Sequence, residues 1–309
     1  MEKIPYHKPL ELDEDDILFI QDNIKNIIKT GRLSKINYWV KYLENDIKEL
    51  YDVKYVIATS NCTLGLSLCF QYFNVGSIHM PNFTWNSPYL MFHDHHNIDF
   101  YDINKKTWLV ENIPDYHHLI KFPTHTFGNI IEIKEEYHTI YDGAHALGSK
   151  IKKFGEATVL SLAPTKPITS GEGGIILTNN DFLAEFLYYR RDRCARMSEI
   201  HALIGHVYFQ YLDIILNWKK MVYDYYKKNI PGQFQEIPIT SNYNTIGFLN
   251  TEKLIIPEFI ETKQYYEPIF QVDLLPNSYE VYKNIICLPS WYNCPYEIIT
   301  ESILEANNL

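Results

Sequence analysis

Apolar positions recur at helical spacing near the start of this chain and then change period. Over residues 16–30, Ile17, Ile20, Ile24, Ile27 and Ile28 fall three or four apart, and Gly31 is placed to stop the helix they predict. Residues 39–51 repeat the pattern through Val40, Leu43, Ile47 and Leu50. Short β-prone runs then recur between turns and helical stretches, at 55–58, 78–80, 98–101, 119–122, 139–141, 158–162 and 174–177. Strands alternating with helices predict an α/β unit around a mainly parallel sheet, whose ligands collect at the carboxyl ends of strands. From Met197 to about Asn229 one long helix is predicted, with Ile200, Ile204, Val207, Tyr211 and Ile215 on a stripe and Pro231-Gly232 ending it. The mixed short elements that follow divide the chain into a large unit, 1–230, and a smaller C-terminal unit, 231–309.

Composition narrows the classes. The 309 residues are 46% apolar, which is globular, and 28 basic against 38 acidic residues leave a charge of -10. No basic tract overrides that balance, so nonspecific nucleic-acid binding is not expected. The five cysteines are odd in number and form no CxxC pair, so neither a disulfide framework nor a zinc site is expected. The N-terminal residues are charged, and no apolar run reaches membrane-spanning length. A cytoplasmic protein without a membrane segment is expected.

Candidate chemistry centres on Lys166, in Ser161-Leu162-Ala163-Pro164-Thr165-Lys166-Pro167-Ile168-Thr169-Ser170-Gly171-Glu172-Gly173-Gly174. A lysine held in a shaped loop is enclosed enough to lose its proton near neutral pH and form an imine with a carbonyl; an ordinary surface turn is the competing reading. Asp142 closes a β-run, where a carboxylate would keep a pyridine nitrogen protonated; a turn-capping aspartate is the alternative. His145, three residues on, fits a donor to a ring oxygen or a satisfied histidine at a domain edge. Thr59-Ser60-Asn61-Cys62-Thr63 follows a strand and opens a helix, which makes an anion seat or a plain N-cap. Ser161 can add a hydroxyl to that seat. Trp85, in Pro81-Asn82-Phe83-Thr84-Trp85, suits stacking on a flat ring or packing in a core. Four of the five arginines, Arg190, Arg191, Arg193 and Arg196, are clustered just before the predicted long helix. They are read equally as an anion site or as a helix face paired with acids such as Asp192 and Glu199. The tract Phe92-His93-Asp94-His95-His96 lacks partners at metal-ligand spacing and is read as a solvated loop.

These segments in series resemble the DegT/DnrJ/EryC1/StrS family of sugar aminotransferases, which are pyridoxal-phosphate enzymes of fold type I. The resemblance runs from near Tyr6 to about Ile303 and also takes in His125-Thr126-Phe127-Gly128, Arg196-Met197-Ser198-Glu199, Tyr265-Tyr266-Glu267-Pro268 and Leu288-Pro289. It implies a large domain with a mainly parallel central sheet flanked by helices and a smaller α+β domain. It implies that Lys166 holds pyridoxal phosphate as an imine, that Asp142 partners the ring nitrogen, and that His145 contacts the ring oxygen. Trp85 matches the stacking aromatic, and Cys62, Thr63 and Ser161 match the phosphate seat. The implied substrates are an amino-acid donor, glutamate, and a nucleotide-linked keto-sugar, with His145 and Thr84-Trp85 leaning toward amination at C4. A homodimer with shared sites is implied as well. Here Cys62 stands where glycine is usual, Cys194 stands where relatives carry an asparagine reaching the neighbouring subunit, and the segment from Gly174 to Arg196 is compressed. Dehydratase relatives carry histidine in place of the lysine, which Lys166 argues against. A non-catalytic cofactor-binding protein would tolerate Lys166→Arg. A nicotinamide-binding enzyme lacks its GxGxxG here.

Overall fold

A computed structural model describes residues 2–34, 38–73, 76–111, 113, 119–131, 133–134, 137–270 and 273–309. Two helices lead, α1 (Glu14–Thr30) and α2 (Tyr38–Tyr51). Asp13 caps α1 by accepting from the Asp16 N–H, and Gly31 ends it at φ 66°. Then come β1 (Tyr55–Thr59), α3 (Cys62–Phe73), β2 (Ser77–Pro81), α4 (Ser87–Phe92), β3 (Asn97–Tyr101), β4 (Leu119–Lys121), β5 (Ile140–Gly143), β6 (Ala157–Ser161) and β7 (Gly174–Thr178). The chain continues through α5 (Asp181–Cys194), α6 (Glu199–Phe209), α7 (Leu212–Asn229), β8 (Gln233–Phe234), β9 (Ile246–Leu249), α8 (Pro276–Asn284), β10 (Ile285–Leu288) and α9 (Tyr296–Ala306).

The large sheet runs β3-β2-β4-β5-β6-β7-β1. Hydrogen-bonded ladders join β3-β2-β4 and β5-β6-β7-β1, and parallel bridges Lys121–Thr139 and Thr124–Asp142 join β4 to β5. All neighbours are parallel except β7, which runs against both β6 and β1. Strands β5 to β7 are buried along their whole length, as helices on both faces require. Leu160, Ile175 and Leu177 pack with Val40, Leu43 and Ile47 of α2 on one face. The alternate residues Val159 and Ile176 pack with Leu66 and Phe70 of α3 and Leu187 of α5 on the other. A small antiparallel sheet, β10-β9-β8, packs with α9 and the C-terminal half of α7 around Phe248, Tyr226 and Ile299.

Two expectations are corrected. The long helix of 197–229 is two helices. Gln210 and Tyr211 take i→i−3 bonds to Val207 and Tyr208, and Tyr211 leaves helical geometry at ψ 2°. The two halves serve different cores: α6 packs on α2 and α1, whereas the end of α7 packs in the small sheet's core. A continuous apolar period cannot reveal such a change of direction. In the predicted stripe Val207 and Ile215 are buried, but Ile200 and Ile204 are only half-buried. Likewise α1 buries Ile27 alone, while Ile17 and Ile28 are exposed.

The clustered arginines do precede α6, and the structure shows one of them in a buried ion pair. Arg190, Arg191 and Arg193 lie in the last turns of α5, where cations suit the helix dipole. The Arg191 guanidinium is buried and donates to Glu44 at 3.0 Å and to Asp192 at 2.6 Å. Arg190 donates to Gln71, and Arg193 lies over the Tyr189 ring at 3.5 Å. Removing one partner of a buried pair strands the other, so Arg191→Met is expected to destabilise the protein by about 3–5 kcal/mol. A lowered urea midpoint with an unchanged slope checks it.

Candidate active site

The carboxyl ends of β1, β2, β4, β5 and β6 and the loops after them converge on one cavity of about 410 Å³. The turn after β1 builds its first wall. Thr59 Oγ1 donates to the Asn61 carbonyl, and Asn61 Oδ1 accepts from the Leu64 N–H at 2.8 Å, which caps α3. Capping and anion binding are therefore compatible here, because a side-chain cap satisfies only some of the free N–H groups in the first turn. Gly174 stands directly behind: a Cβ there would lie 2.5 Å from Asn61 carbon and oxygen and 2.6 Å from Cys62 nitrogen. Only glycine lets β7 back the turn this closely. Thr63 Oγ1 and Ser87 Oγ lie 3.2 Å apart at the N-termini of α3 and α4, and Ser161 Oγ accepts from the Ala163 N–H.

Asp142 ends β5, buried at 3% exposure, with Oδ1 accepting from the Ala144 N–H at 3.0 Å. Burial raises its pKa, and the Ala144 N–H and Lys166 offset part of that rise. Lys166 follows a turn in which its own N–H donates to the Ala163 carbonyl. The loop beyond is pinned by Thr169 Oγ1 to the Leu162 carbonyl and Ser170 Oγ to the Glu172 carbonyl. Burial lowers the pKa of the Lys166 amine to about 8, against the pull of Cys62, Asp142 and Glu172. Labelling of residue 166 by trinitrobenzenesulfonate in cofactor-free protein should therefore reach half its plateau near pH 8. Ordinary surface lysines need about pH 10.4, because only the neutral amine reacts. Peptide mapping reads the site.

His145 lies 3.2 Å from the Tyr266 hydroxyl at both ring nitrogens and faces the Phe127 ring at 5.9 Å. Burial, then Lys166 and Lys219, push its pKa well down, so the imidazole is neutral at neutral pH. Trp85, 55% exposed, stands at the mouth with its ring edge toward Tyr266.

Lys166, Asp142, His145, Cys62, Thr63, Ser161 and Trp85 all line this one cavity, and none of the four clustered arginines does. Cys194 is exposed, with its thiol donating to the Arg190 carbonyl. His93, Asp94 and His95 are exposed in the turn after α4, as a solvated loop should be. Among the described residues no helix is long and apolar enough to cross a membrane, and no cluster of three or more His, Cys, Asp or Glu could hold a metal. Sequence reasoning missed the opposite wall, which includes Tyr6, His7, Lys219, Thr245, Ser290 and Trp291. A signal for Lys219 was present: with Ile215, Val222 and Tyr226 it falls on one helical stripe, where a lysine is out of place.

The residues fit pyridoxal phosphate. Lys166 offers an amine with no hydrogen bond among the described residues, and Asp142 has one oxygen free of backbone donors. Ser60 Oγ is buried without a partner beside the α3 N-terminus. A ring nitrogen on Asp142 and a phosphate on α3 would supply the missing charge and acceptors.

Comparison with known proteins agrees. Residues 15–246 match the DegT/DnrJ/EryC1/StrS aminotransferase family. GDP-perosamine synthase of Escherichia coli O157:H7 is 26% identical, across 88% of this chain and 91% of its own. The dTDP-4-amino-4,6-dideoxy-D-glucose transaminase of Shigella dysenteriae is 25% identical, across 54% of this chain and 60% of its own. Helicobacter pylori PseC, an aminotransferase involved in the biosynthesis of pseudoaminic acid, shares the fold with a TM-score of 0.84, at 18% identity and 99% coverage of both chains. The chain belongs to the DegT/DnrJ/EryC1/StrS aminotransferase family and is a pyridoxal-phosphate-dependent enzyme.

Proposed function

We propose that the enzyme moves an amino group from an amino acid, L-glutamate, to a keto-deoxysugar carried on a nucleotide, making an amino sugar for glycan biosynthesis. The observation that carries this is the meeting of Lys166 and Asp142 across one cavity in a chain of this family. The names of its relatives support the acceptor class, and the 4-amino sugar in one of them supports amination at C4.

When bound, pyridoxal phosphate supplies an electron sink for the pair left when a donor α-carbon loses its proton. In this reading Cys62, Thr63 and Ser161, with the α3 N-terminus, hold the phosphate, and Trp85 covers the ring. Asp142 keeps the ring nitrogen cationic. Neutral His145, oriented by Tyr266 and Phe127, donates to the ring oxygen. Lys166 anchors the group and, once released, takes the α-proton as a neutral amine and returns it as an ammonium. A pKa of about 8 suits both duties, because the amine gains and loses its proton near working pH.

The division at 230/231 into a cofactor-binding unit and a smaller C-terminal unit belongs to this reading, with α7 bridging them. So do a homodimer with shared sites and a cytoplasmic setting; the five free cysteines accord with a reducing compartment.

Glutamate should bleach the bound cofactor's visible band, and one member of a panel of keto-deoxysugar nucleotides should restore it with an amino sugar detected by mass. If glutamate leaves the band unchanged, the donor is wrong; if no ketosugar restores it, the acceptor class is wrong.

A further inference from the structure

Lys219 projects from α7 into the active-site cavity, and nothing in the amino-transfer chemistry uses it. Its residue is 7% exposed. The ammonium donates to the Asn244 carbonyl at 3.1 Å and approaches the Ser290 carbonyl and hydroxyl at 3.4 and 3.3 Å. All three acceptors are uncharged, and the Ser290 contacts are long beside the usual range of about 2.7–3.2 Å. Among the described residues no carboxylate pairs with it; burial lowers its pKa to about 8, so near neutral pH it is still mostly an ammonium, and the nearby Cys294 thiol, whose own pKa is pushed up to about 11, is no counter-charge. A buried cation without a counter-charge is costly in free energy, and a ligand anion relieves that cost.

His7 gives a second, independent sign. It lines the same wall, and its Nε2 is buried with no hydrogen-bond partner. Burial and Lys219 lower its pKa to about 4 against the pull of the Pro164 carbonyl, so the ring is neutral, and the tautomer with its proton on Nε2 donates there without adding charge. The phosphate seat is built from other elements, the starts of α3 and α4 and the end of β6, so these two groups do not belong to it.

We infer that Lys219 and His7 form an oxyanion subsite for the substrates, taking a donor carboxylate, the diphosphate of a sugar nucleotide, or each in turn. The identity of the ligand rests on the amino-transfer reading above. An alternating reaction brings both partners to one cavity, both carry oxyanions, and one fixed cation serves either without rearrangement.

The test uses enzyme loaded with pyridoxamine phosphate, so that the phosphate seat is filled. Calorimetry measures binding of glutarate, which lacks the reactive amine, and of inorganic pyrophosphate. Wild type should bind at least one. Lys219→Met should weaken that binding about tenfold or more, Lys219→Arg should keep it within a few-fold, and His7→Gln should weaken it less than Lys219→Met does. Loss for glutarate alone assigns the donor carboxylate, loss for pyrophosphate alone assigns the diphosphate, and loss for both assigns a shared seat. The inference is overturned if wild type binds neither probe, or if Lys219→Met binds both as wild type does. Should Lys219→Met not fold, unchanged binding in His7→Gln together with lost binding in the charge-keeping Lys219→Arg overturns it. Amino transfer is assayed separately: a protein that holds the anions but transfers no amino group refutes the reaction and leaves the subsite standing.

Discussion

Lys166→Arg yields a folded protein that transfers no amino group. Arginine keeps the positive charge and much of the bulk, so the loop pinned by Thr169 and Ser170 has no reason to move. What it lacks is a neutral form, because a guanidinium holds its proton at any pH a protein tolerates. The wild-type amine reaches that form near pH 8 only because burial outweighs the opposing pull of Cys62, Asp142 and Glu172. Both duties of the side chain, covalent anchoring and proton transfer at the α-carbon, then fail together. We expect kcat to fall by about 10⁴-fold or more, since general acid–base catalysis alone is worth up to about 10⁴. The measurement is product formation by mass, with borohydride reduction followed by peptide mapping to show whether residue 166 still carries cofactor. Activity near wild type would mean that the protein binds its cofactor for some non-catalytic purpose.

Asp142→Asn separates activity from stability. The asparagine oxygen can still accept from the Ala144 N–H, so the turn after β5 is preserved. Its charge is gone, and with it the means of keeping a ring nitrogen cationic. A loss on the order of 10²–10³ in kcat is expected, the usual worth of one preorganised electrostatic group. Both half-reactions should slow, because each passes through the same electron demand. Loss of less than about tenfold would remove Asp142 from the mechanism.

The cofactor-free protein should respond in the opposite direction. Burial raises the Asp142 pKa above its unfolded value, so the folded chain holds that proton to higher pH than the unfolded chain does. Stability contributed by this group is present at low pH and falls as pH rises through the interval between the two values. Above that interval the full penalty applies, and asparagine removes it. The urea midpoint of cofactor-free Asp142→Asn at pH 7 is therefore expected to be no lower than that of wild type, and the difference should vanish in acid.

The two kinds of reading fared differently for physical reasons. Strand positions were legible because a sheet covered on both faces needs strands rich in apolar residues, and Val159-Leu160 of β6 and Ile175-Ile176-Leu177 of β7 supply them. Lys166, Asp142 and the Thr59–Thr63 turn were legible because each lies at or soon after a strand's carboxyl end, where topology gathers ligand-binding groups. Arg191 was ambiguous for the opposite reason. A guanidinium that binds an anion and one that pairs with Glu44, far away in sequence, look the same until the fold brings α2 and α5 to the same strand end.

By itself the sequence determined the class of fold, where the large sheet's strands fall along the chain and the residue types proposed for the cofactor wall, since these follow from local period and from chemistry carried on short contiguous motifs. Only the tertiary structure decided that the predicted long helix bends between two cores, that Arg191 is a structural ion pair, and that Lys219 and His7 face the same cavity as Lys166. Those three depend on contacts between segments far apart along the chain. Local periodicity reports which face of an element is apolar, but not which distant element, or which unpaired charge, that face will meet.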